Sequence, residues 1–213
     1  MIFEIFFNFA SMDNSSIRVA FDGRAVAASG AWGAALRRSV GALARKFPGC
    51  SIDVYVPYGR VYPLLEELSG YANVNVCRAR FPGTWPFLSR WRRGIAAELV
   101  RRDTGVFHAP GDIFPHPVAE MPGIRKVVTV RDLSFLSSPS GFTWLQRHRN
   151  NVRFRRSCRR ADAIVVPSAE VAADVVKYYF IRKDRIFVAG EPEDAGAVDA
   201  TWLMSLYEGL LGR

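Results

Sequence analysis

Seven short apolar runs recur along the chain, each ending in polar or turn-forming residues. Ile17–Phe21 opens the series, and Ile52–Val56, Val74–Arg78, Val106–His108, Val127–Val130, Ile164–Val166 and Ile186–Val188 follow. Runs of this length rich in Val and Ile read as strands, several of them buried on both faces. Between them the hydrophobic period lengthens. Leu36, Val40, Leu43 and Phe47 recur at helical spacing, with Arg37, Arg38, Arg45 and Lys46 mostly on the solvent side, and Pro48-Gly49 stops that helix. A short helix is predicted over 62–69 and a longer one ending near Arg102, whereas Gly111–Gly123, with three prolines, reads as a loop. Ser168 is suited to cap a helix reaching Tyr179, with Glu170 in its first turn. Asp199 is suited to cap a last amphipathic helix on which Trp202, Leu206 and Leu210 lie one turn apart, with Leu203 and Tyr207 beside them.

Strands alternating with helices predict an α/β fold: a single Rossmann-like doubly wound, mainly parallel sheet of about seven strands, with the C-terminal helix packed back on it. The chain divides into an extension (1–16), the sheet domain (17–190), a linker (191–198) and the final helix (199–213). Open sheets of this kind bind ligands beyond the carboxyl ends of their strands, at the point where strand order reverses. The first and fourth strands are expected to flank that point. Asp22, Arg24, the Gly30–Gly33 loop, His108, Asp132 and Ser168 would then gather along one edge. Asp132, His108 and the glycines each have a second reading. Asp132 is either a base or sugar-hydroxyl acceptor or the cap of a turn. His108 either lines a cleft or fills a gap in the core. The glycines either open a helix N-terminus to an anion or serve tight turning and close packing.

Composition narrows the function classes. The chain has 213 residues, a formal charge of +9 and a pI near 9.9, which favours anionic partners: phosphate-bearing substrates, a membrane surface or nucleic acid. Cys50, Cys77 and Cys158 are odd in number and far apart, with no histidine at metal spacing, so reduced thiols are expected and no metal site is implied. The dinucleotide fingerprint and the Walker-type phosphate loop are both absent, which argues against NAD binding and against a nucleoside triphosphatase. No Ser sits in a nucleophile-elbow motif, and His108, His116 and His148 form no ligand set. Residues 1–10 are apolar but contain Glu4 and are too short to span a bilayer, so they read as an extension or a weak membrane anchor. Phe81–Arg93 mixes Trp85, Phe87, Leu88 and Trp91 with arginines, which suits either an interfacial surface or a helix start packed on the sheet. Trp144–Arg160 carries seven arginines and no acid on a weak apolar stripe. It suits an anionic membrane better than nucleic acid, since it has few aromatics to stack bases and matches no nucleic-acid motif.

Four phrases in order, AFDGRAV with its glycine loop, VFHAP, KVVTVRDLSFL and RRADAIVVPSAEVAADVVKYYFIRKDRIFVAG, resemble the N-terminal half of a GT-B glycosyltransferase of family four, from about Ile17 to Gly190. The resemblance implies an acceptor-binding domain, a glycine loop near the donor phosphates and a strand-five turn that touches the transferred sugar. On that basis the cleft residues are Gly30, Gly33, His108 and Arg131, with Arg24 beside them and Asp132 as the candidate catalytic group. The family's turn reads His-Asp; here it reads Arg131-Asp132, and an arginine is no acid or base near neutral pH. The family's donor-binding domain, with its pair of glutamates, has no counterpart in this sequence, because Glu191 and Glu193 lie in the linker with the wrong spacing. Thr201–Gly212 (TWLMSLYEGLLG) resembles the family's return helix, or is an unrelated amphipathic tail. The resulting expectation is the acceptor-binding half of a glycosyltransferase in polysaccharide or glycolipid assembly, needing a separate donor-domain protein. It needs no cofactor, and a nucleotide sugar enters as co-substrate only with that partner. An acceptor glycan or lipid-linked sugar is the expected ligand, and a cytoplasmic place, peripheral on the inner membrane face, the expected location. The alternative is a non-catalytic module that binds a sugar or lipid head group.

Overall fold

The computed structural model describes residues 17–58, 62–82, 88–111, 114–190 and 198–212. The readings placed on residues 1–16, on the side chains of Phe81–Arg93 and on residues 191–197 lie outside the described residues. Seven strands form one sheet: β1 (Arg18–Asp22), β2 (Ser51–Tyr58), β3 (Val74–Pro82), β4 (Val106–Ala109), β5 (Arg125–Thr129), β6 (Ala163–Val166) and β7 (Ile186–Val188). Every pairing is parallel, in the order β3-β2-β1-β4-β5-β6-β7. Strand order therefore reverses between β1 and β4, as the sequence predicts.

The helices are α1 (Gly23–Val26), α2 (Ala31–Lys46), α3 (Leu88–Arg101), α4 (His116–Glu120), α5 (Ser134–Ser137), α6 (Trp144–Arg160), α7 (Ala169–Tyr179) and α8 (Ala200–Leu211), with a 3₁₀ turn at Pro63–Leu68. Strand side chains alternate between two cores, as the period of two requires. Val19, Phe21, Val106 and Val127 face Leu36, Val40 and Leu43 of α2 and Leu203, Met204 and Tyr207 of α8. Ala20, Phe107, Val128 and Ile164 face Ile95 and Leu99 of α3, Cys158 of α6 and Val175 and Tyr179 of α7. Both faces are thus covered, which is why the strands read as unbroken apolar runs.

Three local findings bear on the site. The stretch read as a loop, Gly111–Gly123, contains α4, one helical turn anchored by the buried Val118 and Ala119. Arg37, read with the solvent side of α2, is buried, and its Nη1 donates to the carbonyls of Val26 (2.9 Å) and Ala28 (3.1 Å). The C-terminal helix does pack back on the sheet domain: Asp199 caps α8 through Trp202 N, Ser39 Oγ of α2 accepts from Val198 N at 2.9 Å, and Lys46 donates to Thr201.

Candidate functional site

At the switch point, Asp22 ends β1 and caps α1, its Oδ1 accepting from Arg24 N at 3.1 Å. The same carboxylate is held by the Arg24 guanidinium, with Nε at 2.9 and 3.1 Å from its two oxygens. Burial pulls the Arg24 charge down, but the charge and hydrogen bonds of Asp22, with help from Tyr62, hold it above its ordinary value. Arg24 therefore stands at the rim with its head engaged on Asp22.

The chain next bends through Ala27–Gly30 into α2. Gly30 sits at φ 89°, ψ 178°, where only glycine is at ease, and a Cβ there would meet open space. Gly33 answers a different need, since a Cβ on it would lie 1.9 Å from the Ala28 carbonyl oxygen. One glycine shapes the turn and the other lets α2 close on it, while Arg37 ties down the turn's carbonyls from the helix side. The first turn of α2, with its unpaired N–H groups, opens on this loop.

From the other side of the switch point, Val130 follows β5 and donates to Val165 O at 2.9 Å. Arg131 then leaves the sheet, exposed, and lies 4.8 Å above the ring of Trp32 in the first turn of α2. This contact joins residues 99 apart in sequence and brings the strand-five turn to the glycine loop. Asp132 is also exposed; its Oδ1 accepts from Ser134 N (3.0 Å) and Ser134 Oγ (2.5 Å). It caps the α5 turn with one oxygen, while Oδ2 makes no hydrogen bond among the described residues. Both readings of Asp132 are thus compatible with one side chain. Ser168 caps α7 through Val171 N at 3.4 Å.

His108 is fully interior. It faces the α2–α8 core, with Nδ1 hydrogen-bonded to the Tyr207 hydroxyl (2.7 Å) and Nε2 to Thr129 Oγ1 (2.8 Å). A neutral imidazole donates from one nitrogen and accepts at the other, and either hydroxyl can fill either role. Burial pushes its pKa down to about 3, so it is uncharged at neutral pH. Phe21 packs against its ring at 5.3 Å. His108 thus ties β4 and β5 to α8 from beneath the rim, and its ring nitrogens are taken. Trp32, Arg37, Thr129 and Tyr207 are the residues that sequence reading left out of this constellation. The signal for Tyr207 was its stripe with Leu203, whereas nothing local points to Trp32.

The arginine helix α6 is held by polar ties more than by burial. Thr143 and Gln146 form a reciprocal capping box, and Arg147 Nε donates to Phe135 O at 3.0 Å. Glu120 of α4 takes both Arg156 (3.2 Å) and Arg160. Phe154 packs edge-on against Phe135 at 5.0 Å. On the outer face Trp144, Leu145 and Val152 are 74%, 65% and 53% exposed, with the Trp144 ring stacked on His148. Among the described residues no group of His, Cys, Asp and Glu could hold a metal ion, and no helix is long and apolar enough to cross a membrane.

A family model described as Glycosyltransferase Family 4 matches residues 36–190. Among solved structures, the chain is similar to a glycosyltransferase from Rickettsia africae ESF-5, with a TM-score of 0.53 and 14% identity over 82% of this chain and 42% of that one. It is also similar to the UDP-GlcNAc 2-epimerase from Neisseria meningitidis bound to UDP-GlcNAc, with a TM-score of 0.57 and 11% identity over 91% of this chain and 50% of that one. At these identities the likeness is one of fold, and the chain spans half or less of either structure's length. No curated protein matches it in sequence.

Proposed function

The chain belongs to glycosyltransferase family 4, and from that premise we propose that residues 17–212 act as the acceptor-binding lobe of a sugar-transfer system, completed by a donor-binding lobe. In this reading residues 17–190 make up the lobe, and α8 packs back on it. The observation that carries the proposal is Arg131 lying on Trp32: it joins the strand-five turn and the glycine loop into one rim at the switch point. There Arg131 contacts an anionic group of the acceptor or the arriving donor. Asp132 Oδ2 accepts from a sugar hydroxyl or takes its proton, and the N-terminus of α2 beyond Gly30 and Gly33 faces the phosphates. Arg24 and His108 support this rim from behind, one through Asp22 and the other through Thr129 and Tyr207. The exposed apolar and arginine side chains of α6 rest on an anionic bilayer that presents a lipid-linked acceptor, each arginine adding ~1 kcal/mol near such a surface.

The chain, a donor-binding lobe of the same family, a labelled nucleotide sugar and a lipid-linked acceptor, incubated together, test this directly. Label should pass to the acceptor only when both lobes are present. No transfer with any donor lobe, together with no binding of acceptor to the chain alone, would remove the proposal. One observation favours a second reading, a non-catalytic binding module: an arginine stands where the family resemblance puts a histidine. Under that reading the acceptor binds and no donor lobe yields transfer.

A further inference from the structure

We propose that the cavity at the free edge of β3 is a second ligand site, separate from the rim, that holds a small hydroxylated oxyanion such as a sugar phosphate or a sugar acid. Among the described residues β3 is an edge strand, paired only with β2. A cavity of about 980 Å³ wraps its outer side, with Asn75 and Cys77 reaching it from one face and Arg78 from the other, and Glu98 and Arg102 closing it from the end of α3. That volume is of the size small-molecule sites take.

Four features point to a ligand of this class. The Tyr55 hydroxyl belongs to a cavity-lining residue that is 1% exposed, yet it has no hydrogen-bond partner among the described residues. A buried hydroxyl left unpaired destabilises the fold, and a bound oxygen would relieve that cost. Next, the wall carries surplus positive charge. Among the described residues its lining carries Arg78 and Arg102 against Glu98 alone, and the buried Asp53 behind it is met from outside the cavity by Arg18 (3.3 Å) as well as by Arg102 (3.1 Å). Third, Arg78 is exposed, lines the cavity and makes no ion pair among the described residues, so its charge is open to an oxyanion. Last, the unpaired backbone edge of β3 offers alternating N–H and C=O groups, which suit hydroxyls on the body of the same molecule. Between β3 and β5 lie four strand steps of ~4.8 Å, so the cavity stands roughly 19 Å across the sheet from Arg131. A ligand at the rim does not reach it.

Cys77 provides a local readout, since it lines the cavity half-buried while Cys50 and Cys158 are buried. Alkylation of the folded chain, followed residue by residue by mass spectrometry, would be run against glucose 6-phosphate, glucuronate, glucose and inorganic phosphate. Glucose 6-phosphate or glucuronate should protect Cys77 with a saturable dose dependence, and whichever is stronger identifies the oxyanion. Glucose and inorganic phosphate should each be weaker by ~10-fold or more, because each lacks half of the recognised chemistry. Tyr55→Phe should weaken protection ~3–10-fold, the loss of one hydrogen bond. Arg78→Glu, an exposed change that spares the fold, should abolish it, and Arg131→Ala should leave it unchanged. No protection by either oxyanion, equal protection by glucose, or protection that survives Arg78→Glu would each overturn the proposal, as would its loss in Arg131→Ala.

Discussion

Replacing His108 by Gln gives a pH-resolved test of how the C-terminal helix is bound to the sheet. In the folded chain burial pushes the His108 pKa down to about 3, against an ordinary value of 6.5 when unfolded. Between those values the unfolded state binds a proton that the folded state refuses. The stability that neutral His108 contributes is therefore fully present above pH 6.5 and is lost as pH falls towards 3. One proton corresponds to a slope approaching ~1.4 kcal/mol per pH unit, and from about pH 7 to about pH 4.5 the loss amounts to ~2.5 kcal/mol. Gln at this position keeps a donor and an acceptor but cannot titrate. Urea unfolding of both proteins at both pH values cancels the carboxylates they share. Whatever the substitution costs at pH 7, the gap between the two should shift by ~2.5 kcal/mol in favour of the variant on acidification. A gap independent of pH would mean that His108 is hydrated or charged in the folded protein, and the tie between β4, β5 and α8 would fall with it.

Gly33→Ala should destabilise by ~2–3 kcal/mol, because its Cβ meets a backbone oxygen at 1.9 Å, whereas Gly30→Ala has open space and should cost only the ~1–2 kcal/mol of its left-handed φ; thermal unfolding of the pair separates packing from strain. Asp53→Ala strips Arg18 and Arg102 of their buried partner and should cost ~2–3 kcal/mol, a figure reduced because the two arginines are 31% and 29% exposed; salt titration of the melting temperature checks the origin. Tyr207→Phe leaves a His108 nitrogen unpaired and should cost ~1–3 kcal/mol, at ~2–4 °C of melting temperature per kcal/mol, with hydrogen exchange accelerated in α8 first.

The sheet was legible in the sequence because both its faces are covered, so each strand stands out as a run of Val and Ile between turn residues. The switch point followed from connectivity, and the caps at Ser168 and Asp199 from local chemistry. Failures trace to contacts between residues far apart in the chain. Arg37 borders the apolar stripe of α2 and is buried where its guanidinium meets the Val26 and Ala28 carbonyls, folded back by Gly30 and Gly33, and the Glu67 carboxylate. α4 is too short and proline-rich to carry its own signal and is held by the core it touches. His108 alternates with Phe107 and Ala109, so in a sheet covered on both faces it had to point into one core or the other; what it meets there, Tyr207, is set by the return of α8. The rim contact between Arg131 and Trp32 leaves no trace in either segment alone. Glu120, which steadies the arginine helix through Arg156 and Arg160, lies in the stretch read as a loop.

If the rim between α2 and the β5 turn receives a sugar-bearing acceptor, nitrogen-15 NMR will show it when the chain is titrated with a sugar diphosphate on a short soluble lipid. Saturable shifts should centre on the amides of Trp32, Gly33, Asp132 and Leu133, with binding weakened by ~1–3 kcal/mol in Arg131→Ala. Shifts confined to α6 or to the β3 edge, or binding indifferent to Arg131→Ala, would contradict that role for the rim.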